Sequence, residues 1–155
     1  MKGLQKMSYR ADILVCSRDG EPIAVVEVKN RQDLNREVAI QLRRNMIAHG
    51  LLPHIPYFLL LSQDFGFLWK GKRRERLDVE LTCEFSMSKI VTRYLPELGS
   101  KERLREAQLE LLVLQWLSDL AQRPQEAIEE PERSLELSGF LNSIRGSAVI
   151  TQAQL

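Results

Sequence analysis

Short, densely apolar runs alternate along the chain with longer segments of helical spacing. The first run, residues 11–17, holds Ile13, Leu14 and Val15 in a row, and the second, residues 22–29, holds Ile23, Val25, Val26 and Val28. Between them stands Arg18-Asp19-Gly20-Glu21, and Asp-Gly between two β-rich runs is a hairpin signal. Both runs are apolar on both faces, so helices are expected on both sides of the sheet they begin. From Asp33 the spacing becomes helical. Asp33 is placed as the N-cap, Leu34, Val38, Leu42 and Met46 form a buried stripe, and Gly50 and Pro53 stop the helix near His49. Pro56 leads into a third strand over 57–62, and a turn at 63–66 leads into a fourth over 67–70. Strand, helix, strand order predicts an α/β or α+β domain built on a mixed sheet.

The second half reads as mainly helical. An extended piece over 77–83 is followed by a helix over 86–95 that Pro96 stops. A long helix spans 101–122, an exposed linker with two prolines spans 123–133, a last helix spans 134–150, and 151–155 fray. The chain divides accordingly into a core, 1–83, and a helical C-terminal extension, 84–155. The 101–122 helix is apolar on more than one face. Leu109, Leu112, Trp116 and Leu120 line one stripe, while Leu104, Leu111 and Leu114 lie elsewhere. A small sheet does not cover that much surface, so the helix is expected inside a helical subdomain or at a homodimer interface.

Composition adds limits. The 155 residues suit one domain, and 44% hydrophobic with 28% charged is ordinary for a globular chain. A net charge of +1 gives no global attraction to nucleic acid or membrane, so any nucleic-acid surface is a local patch. The candidate patch is Lys70, Lys72, Arg73, Arg74 and Arg76, a loop suited to gripping a phosphate backbone or simply to being solvated. Arg43 and Arg44 are placed on the exposed side of their helix. Cys16 and Cys83 lack metal-site spacing and read as buried, reduced thiols, which implies a cytoplasmic protein. Residues 1–10 lack the apolar core of a signal peptide, and no apolar run approaches the ~20 residues that span a bilayer, so no membrane is expected. His49 and His54 flank a turn without a third ligand, and Trp69 and Trp116 read as core.

The first hairpin carries the candidate chemistry. A two-residue turn at Asp19-Gly20 pairs Arg18 with Glu21 and brings Leu14 opposite Val25, Cys16 opposite Ile23, and Asp12 opposite Glu27. Opposed residues share a face with Cβ atoms roughly 4.5–5.5 Å apart, and Lys29, two positions beyond Glu27, joins them. Two facing carboxylates destabilise a sheet unless a cation joins them. Mg²⁺ or Mn²⁺ takes such oxygen ligands, and a lysine alongside stabilises charge developing at phosphorus. The alternative is a plain surface pair at a strand end.

These residues resemble the PD-(D/E)xK superfamily, the restriction-endonuclease-like nucleases. Arg10-Ala11-Asp12 is similar to the family's "PD" element with alanine in place of proline, and fourteen residues, positions 13–26, separate it from Glu27-Val28-Lys29. The resemblance covers about residues 8–70. It implies a restriction-endonuclease-like mixed sheet flanked by helices, followed here by the α-helical extension. It further implies that Asp12 and Glu27, with the Val28 carbonyl, hold Mg²⁺ or Mn²⁺. Lys29 becomes the catalytic lysine, and Gln41, on the following helix, orients substrate or water. Gln41 and Asn45 are placed on the face of that helix toward the sheet. Asn45 takes a position where the family often has an aromatic residue. The family core normally begins with a helix that often bears a further acidic residue, and only about ten residues precede the first strand here. The implied function is hydrolysis of DNA phosphodiester bonds in restriction, repair or recombination, with a homodimer through 101–122 or a partner subunit. The alternative is a non-catalytic binding or assembly module that keeps the fold.

Overall fold

The computed structural model describes residues 10–50, 55–71, 80–122 and 129–154. Within them the chain forms β1 (Arg10–Cys16), β2 (Pro22–Val28), α1 (Arg36–Ala48), β3 (Tyr57–Leu61), β4 (Phe65–Lys70), β5 (Cys83–Ser86), α2 (Met87–Tyr94), α3 (Glu106–Gln122), α4 (Glu132–Leu137), α5 (Phe140–Ile144) and β6 (Ala148–Gln154). The fold is α/β, with six strands in one mixed open sheet ordered β5-β4-β3-β2-β1-β6. Only β2 and β3 run parallel, joined by the α1 crossover; every other neighbouring pair is antiparallel.

Both faces of the sheet are covered, as the doubly apolar strands require. Ile13, Val15, Val26, Val28, Leu59 and Leu68 pack under α2–α5, against Leu109, Val113, Trp116, Phe140 and others. Leu14, Val25, Phe58, Leu60, Phe67 and Trp69 form the opposite core, under Ala39 of α1. Among the described residues, no helix is long and apolar enough to cross a membrane.

The first hairpin reaches the expected register by an unexpected route. Gly20 N–H donates to Ser17 O (2.9 Å) and Ser17 N–H donates to Glu21 O (2.9 Å). Gly20 sits at φ 81°, a left-handed conformation that glycine adopts at no steric cost. The loop is thus longer than two residues, and Cys16 pairs with Pro22 rather than Ile23. A bulge then absorbs Ile23 and restores the register, so that Val15 meets Ala24, Leu14 meets Val25 and Ile13 meets Val26. The bulge also sends Ile23 to the α2–α5 core, whereas Cys16 packs on the α1 side.

Several boundaries differ from the sequence reading. Asn35, not Asp33, caps α1, its side chain accepting from Val38 N–H (2.9 Å); Asp33 instead pairs with Arg31 (2.7 Å). The buried line of α1 runs through Ala39 and Arg43, with Val38, Leu42 and Met46 only half-buried. Arg43 is 1% exposed, contrary to its placement on the solvent side. Its guanidinium lies over the Trp69 ring (5.4 Å to the centroid). Burial pulls its pKa down to about 10.

The largest difference is at the C-terminal end. The segment expected as one helix over 134–150 with a frayed tail is two short helices and a strand, β6. That strand pairs with β1 from Arg10↔Gln154 to Cys16↔Ala148. Residues from 84 onward therefore contribute to the central sheet through β5 and β6 rather than forming only a helical extension. Gly139 and Gly146, at φ 91° and 77°, make the reversals that bring β6 back to the sheet. This also accounts for the apolar excess of α3. Leu109, Leu112, Val113, Trp116, Leu117 and Ala121 are all buried within the chain, and Leu111, at 65% exposure, is the large apolar side chain α3 leaves in solvent. The surface that suggested a dimer through 101–122 is taken up internally.

Candidate active site

The candidate residues meet where β1 and β2 part company. Past Ile13↔Val26 the next rung is Asp12 beside Glu27, and there side chains replace backbone as hydrogen-bonding partners. Val28 N–H donates to Asp12 Oδ2 (2.8 Å), and Asp12 N–H makes a longer contact to Glu27 Oε2 (3.4 Å). Glu27 is only 5% exposed. Lys29 Nζ lies 3.6 Å from Glu27 Oε1, with the lysine side chain 43% exposed. Asp12 thus engages one carboxylate oxygen at the hairpin, and Glu27 engages both, one with the Asp12 amide and one with Lys29. Solvent screening at the half-exposed lysine keeps the ion pair at about 1 kcal/mol or less. Its value lies in position rather than stability.

The end of β2 is held rigidly. Lys29 N–H continues the parallel ladder by donating to Leu61 O (2.8 Å). Asn30 then ties the strand end to the segment entering α3: its N–H donates to Glu106 Oε2 (3.1 Å) and its side-chain amide to Leu104 O. Gln63, 6% exposed, bridges the same segment to the end of β3. Its Oε1 accepts from Leu104 N–H (2.8 Å) and its Nε2 donates to Glu102 O (2.8 Å). Arg103 closes the clamp, donating to Asp64 Oδ2 (2.8 Å) and Asn30 Oδ1 (3.2 Å).

This clamp brings in acidic residues that the sequence reading did not single out. Glu106 reaches the backbone beside Lys29. Glu110, one turn further along α3, has its pKa raised by partial burial first, and then by the negative charges of Asp12 and Glu106. Glu106 and Glu110 stand at i, i+4 spacing, but nothing local marks them, because their relevance depends on where α3 docks.

Not every expected residue joins the site. Gln41 is exposed, and its Nε2 donates to Asn45 Oδ1 (3.0 Å) on the solvent side of α1. The expectation that both face the sheet fails because the buried line runs through Ala39 and Arg43. Lys70 is engaged elsewhere: its Nζ donates to Ser138 O (3.1 Å) and lies 6.0 Å from the Tyr57 ring centroid. Lys72, Arg73, Arg74 and Arg76 lie outside the described residues. Cys16 and Cys83 are half-buried free thiols, and burial pushes Cys83 up to about 11, with help from the charge of Glu130.

Among the described residues, no three or more His, Cys, Asp or Glu side chains gather as a metal-ligand group. Asp12 and Glu27 are carboxylates, the oxygen donors that a hard divalent cation takes together with water and substrate oxygens. Comparison with protein-family models, curated proteins and solved structures gave no match.

Proposed function

We propose that this chain is a metal-dependent nuclease of restriction-endonuclease-like type, hydrolysing DNA phosphodiester bonds. The observation that supports the reading is Asp12 standing beside Glu27 at the end of a buried β-hairpin, with Lys29 Nζ 3.6 Å from Glu27 Oε1. Asp12 and Glu27 would hold Mg²⁺ or Mn²⁺, with the Val28 carbonyl as a further donor. The bound cation would supply positive charge to a phosphodiester and lower the pKa of a water molecule. Lys29, half in solvent, is available to an incoming phosphate as a charged donor. The near-burial of Glu27 excludes water from one side of the pair, which strengthens every charge interaction there. The helix that the family resemblance expects ahead of β1 has a counterpart in α3, which packs on β1 and β2 from later in the chain and carries Glu106 and Glu110.

The test is cleavage of linear, branched and single-stranded DNA with Mg²⁺ or Mn²⁺, with and without EDTA. Glu27→Gln and Lys29→Ala should each lower the rate by ~10²-fold or more while circular dichroism and melting stay close to wild type. A folded wild type that cleaves none of these substrates with either metal would sink the proposal.

One observation favours a second reading, a non-catalytic module that keeps the fold. The Asp12 and Glu27 contacts to backbone amides give both carboxylates a structural use. On that reading, calorimetry with Mg²⁺ detects no binding that Asp12 and Glu27 control.

A further inference from the structure

The sheet ends in two edges of opposite character. The β5 edge is short, Cys83–Ser86, and it is guarded by charge, since Glu84 accepts from Arg36 Nε at 3.2 Å. Short charged edges resist pairing with other chains. The β6 edge is seven residues long, Ala-Val-Ile-Thr-Gln-Ala-Gln, without a proline. No charged residue occurs from Ser147 to Leu155. Ile150 is 44% exposed, and Thr151, the midpoint of the strand, is exposed. Among the described residues, only β1 pairs with β6.

We propose that β6 is a pairing edge through which two copies of this chain join their sheets, antiparallel, about a twofold axis at Thr151. Charge is what selects a second copy as the occupant. Self-pairing about a twofold axis sets each residue opposite itself or a near neighbour, so any charged side chain near the axis would meet its own kind. A neutral strand carries no such penalty, and its regular antiparallel ladder with β1 continues directly into another antiparallel partner.

The geometry places the candidate sites usefully. Antiparallel pairing keeps the same face of both sheets toward the same side. In the β1–β6 register Ala11 meets Ala153 and Ile13 meets Thr151, so Asp12 is level with position 152, one residue from the axis. The two Asp12 levels then differ by two residues along the strands, ~7 Å. Across the strands, three spacings separate the two β1 strands, ~14 Å, and five separate the two β2 strands, ~24 Å. These separations are on the scale of duplex grooves, the major groove being about 12 Å wide. One double-stranded substrate could meet both sites. This last step rests on the nuclease reading, whereas the pairing itself does not.

Sedimentation equilibrium of the full chain, without DNA, tests the pairing. An edge contact of this size sits at the low end of interface areas, so a monomer–dimer transition is expected between about 1 and 500 μM. Thr151→Lys and Thr151→Glu should each weaken it by at least about tenfold, and an equimolar mixture of the two should restore it as a heterodimer. Wild type that stays monomeric throughout overturns the proposal, as does a dimer indifferent to either substitution or a mixture that stays monomeric. Hydrogen exchange of wild type is the check that needs no variant: protection of the β6 amides must rise with concentration, and constant protection overturns the proposal. A dimer without cleavage would refute the nuclease reading alone, and cleavage by a strict monomer would refute the edge pairing alone.

Discussion

Replacing Asp12 separates its structural work from its chemical work. Its Oδ2 accepts the Val28 N–H at 2.8 Å in a part-buried setting. In Asp12→Ala that amide loses its acceptor, and an unsatisfied donor of this kind costs about 1–3 kcal/mol. In Asp12→Asn an acceptor oxygen remains, and the loss reduces to the difference between a charged and a neutral acceptor, about 1 kcal/mol. Stability alone therefore ranks wild type, then Asn, then Ala. Metal linkage adds a second axis. If the carboxylate pair binds Mg²⁺, a concentration ten times the dissociation constant stabilises the wild type by RT ln 11, about 1.4 kcal/mol. For a chain of this size that is ~3–6 °C in Tm. Asp12→Asn, still folded, should lose most of that increment because one of two anionic ligands is gone. The assay is urea and thermal unfolding of the three proteins, each with EDTA and with increasing Mg²⁺. A Tm increment of equal size in wild type and Asp12→Asn would refute the reasoning, since Mg²⁺ would then be acting elsewhere.

Other parts of the structure give sharp expectations. Burial pushes the Glu132 carboxyl up, but hydrogen bonds from Arg93 and Trp116 outweigh it and hold the pKa below its usual value. Stability from this group is therefore full above the unfolded-state pKa near 4.5 and declines as pH falls below it, and Glu132→Gln should flatten that decline and cost about 2–3 kcal/mol at pH 7, read by urea titration at several pH values. A Cβ on Gly66 would lie 2.3 Å from the buried Phe85 ring, so Gly66→Ala should destabilise by about 1–3 kcal/mol in the same assay, and a neutral result would refute the close packing of β4 on β5. Gln41→Ala should leave any DNA cleavage unchanged within about twofold, because its side chain bonds to Asn45 in solvent; a loss of tenfold or more would return Gln41 to the site.

The hairpin register was legible because it depends on local pattern. The apolar residues of β1 and β2 fix which rungs can form, and the bulge at Ile23 compensates for a turn one residue longer than assumed. The placement of Asp12 beside Glu27 could therefore be read from the sequence. The orientation of α1 was not legible, because its buried line passes through an arginine that was expected in solvent. Arg43 is buried through its contact with Trp69, a residue 26 positions away that no helical wheel contains. The β6 strand was missed for a related reason. Alternation in Ala148–Gln154 is weak, and what makes the segment a strand is the open side of β1, supplied by the far end of the sequence. Glu106 and Glu110 came to light only once the Asn30–Leu104 clamp had fixed where α3 begins.

The pairing of Arg10 with Gln154 also has a kinetic consequence. β1 becomes an interior strand only when a segment more than a hundred residues away reaches it, and loop-closure entropy is spent before that contact stabilises anything. Folding should be slow for a chain of this length. While β6 is being awaited, the backbone edge of β1 along Ile13, Leu14 and Val15 lies open to other chains. The rung that assembles Asp12 and Glu27 sits on that same strand, so the candidate site should be among the last features to become rigid.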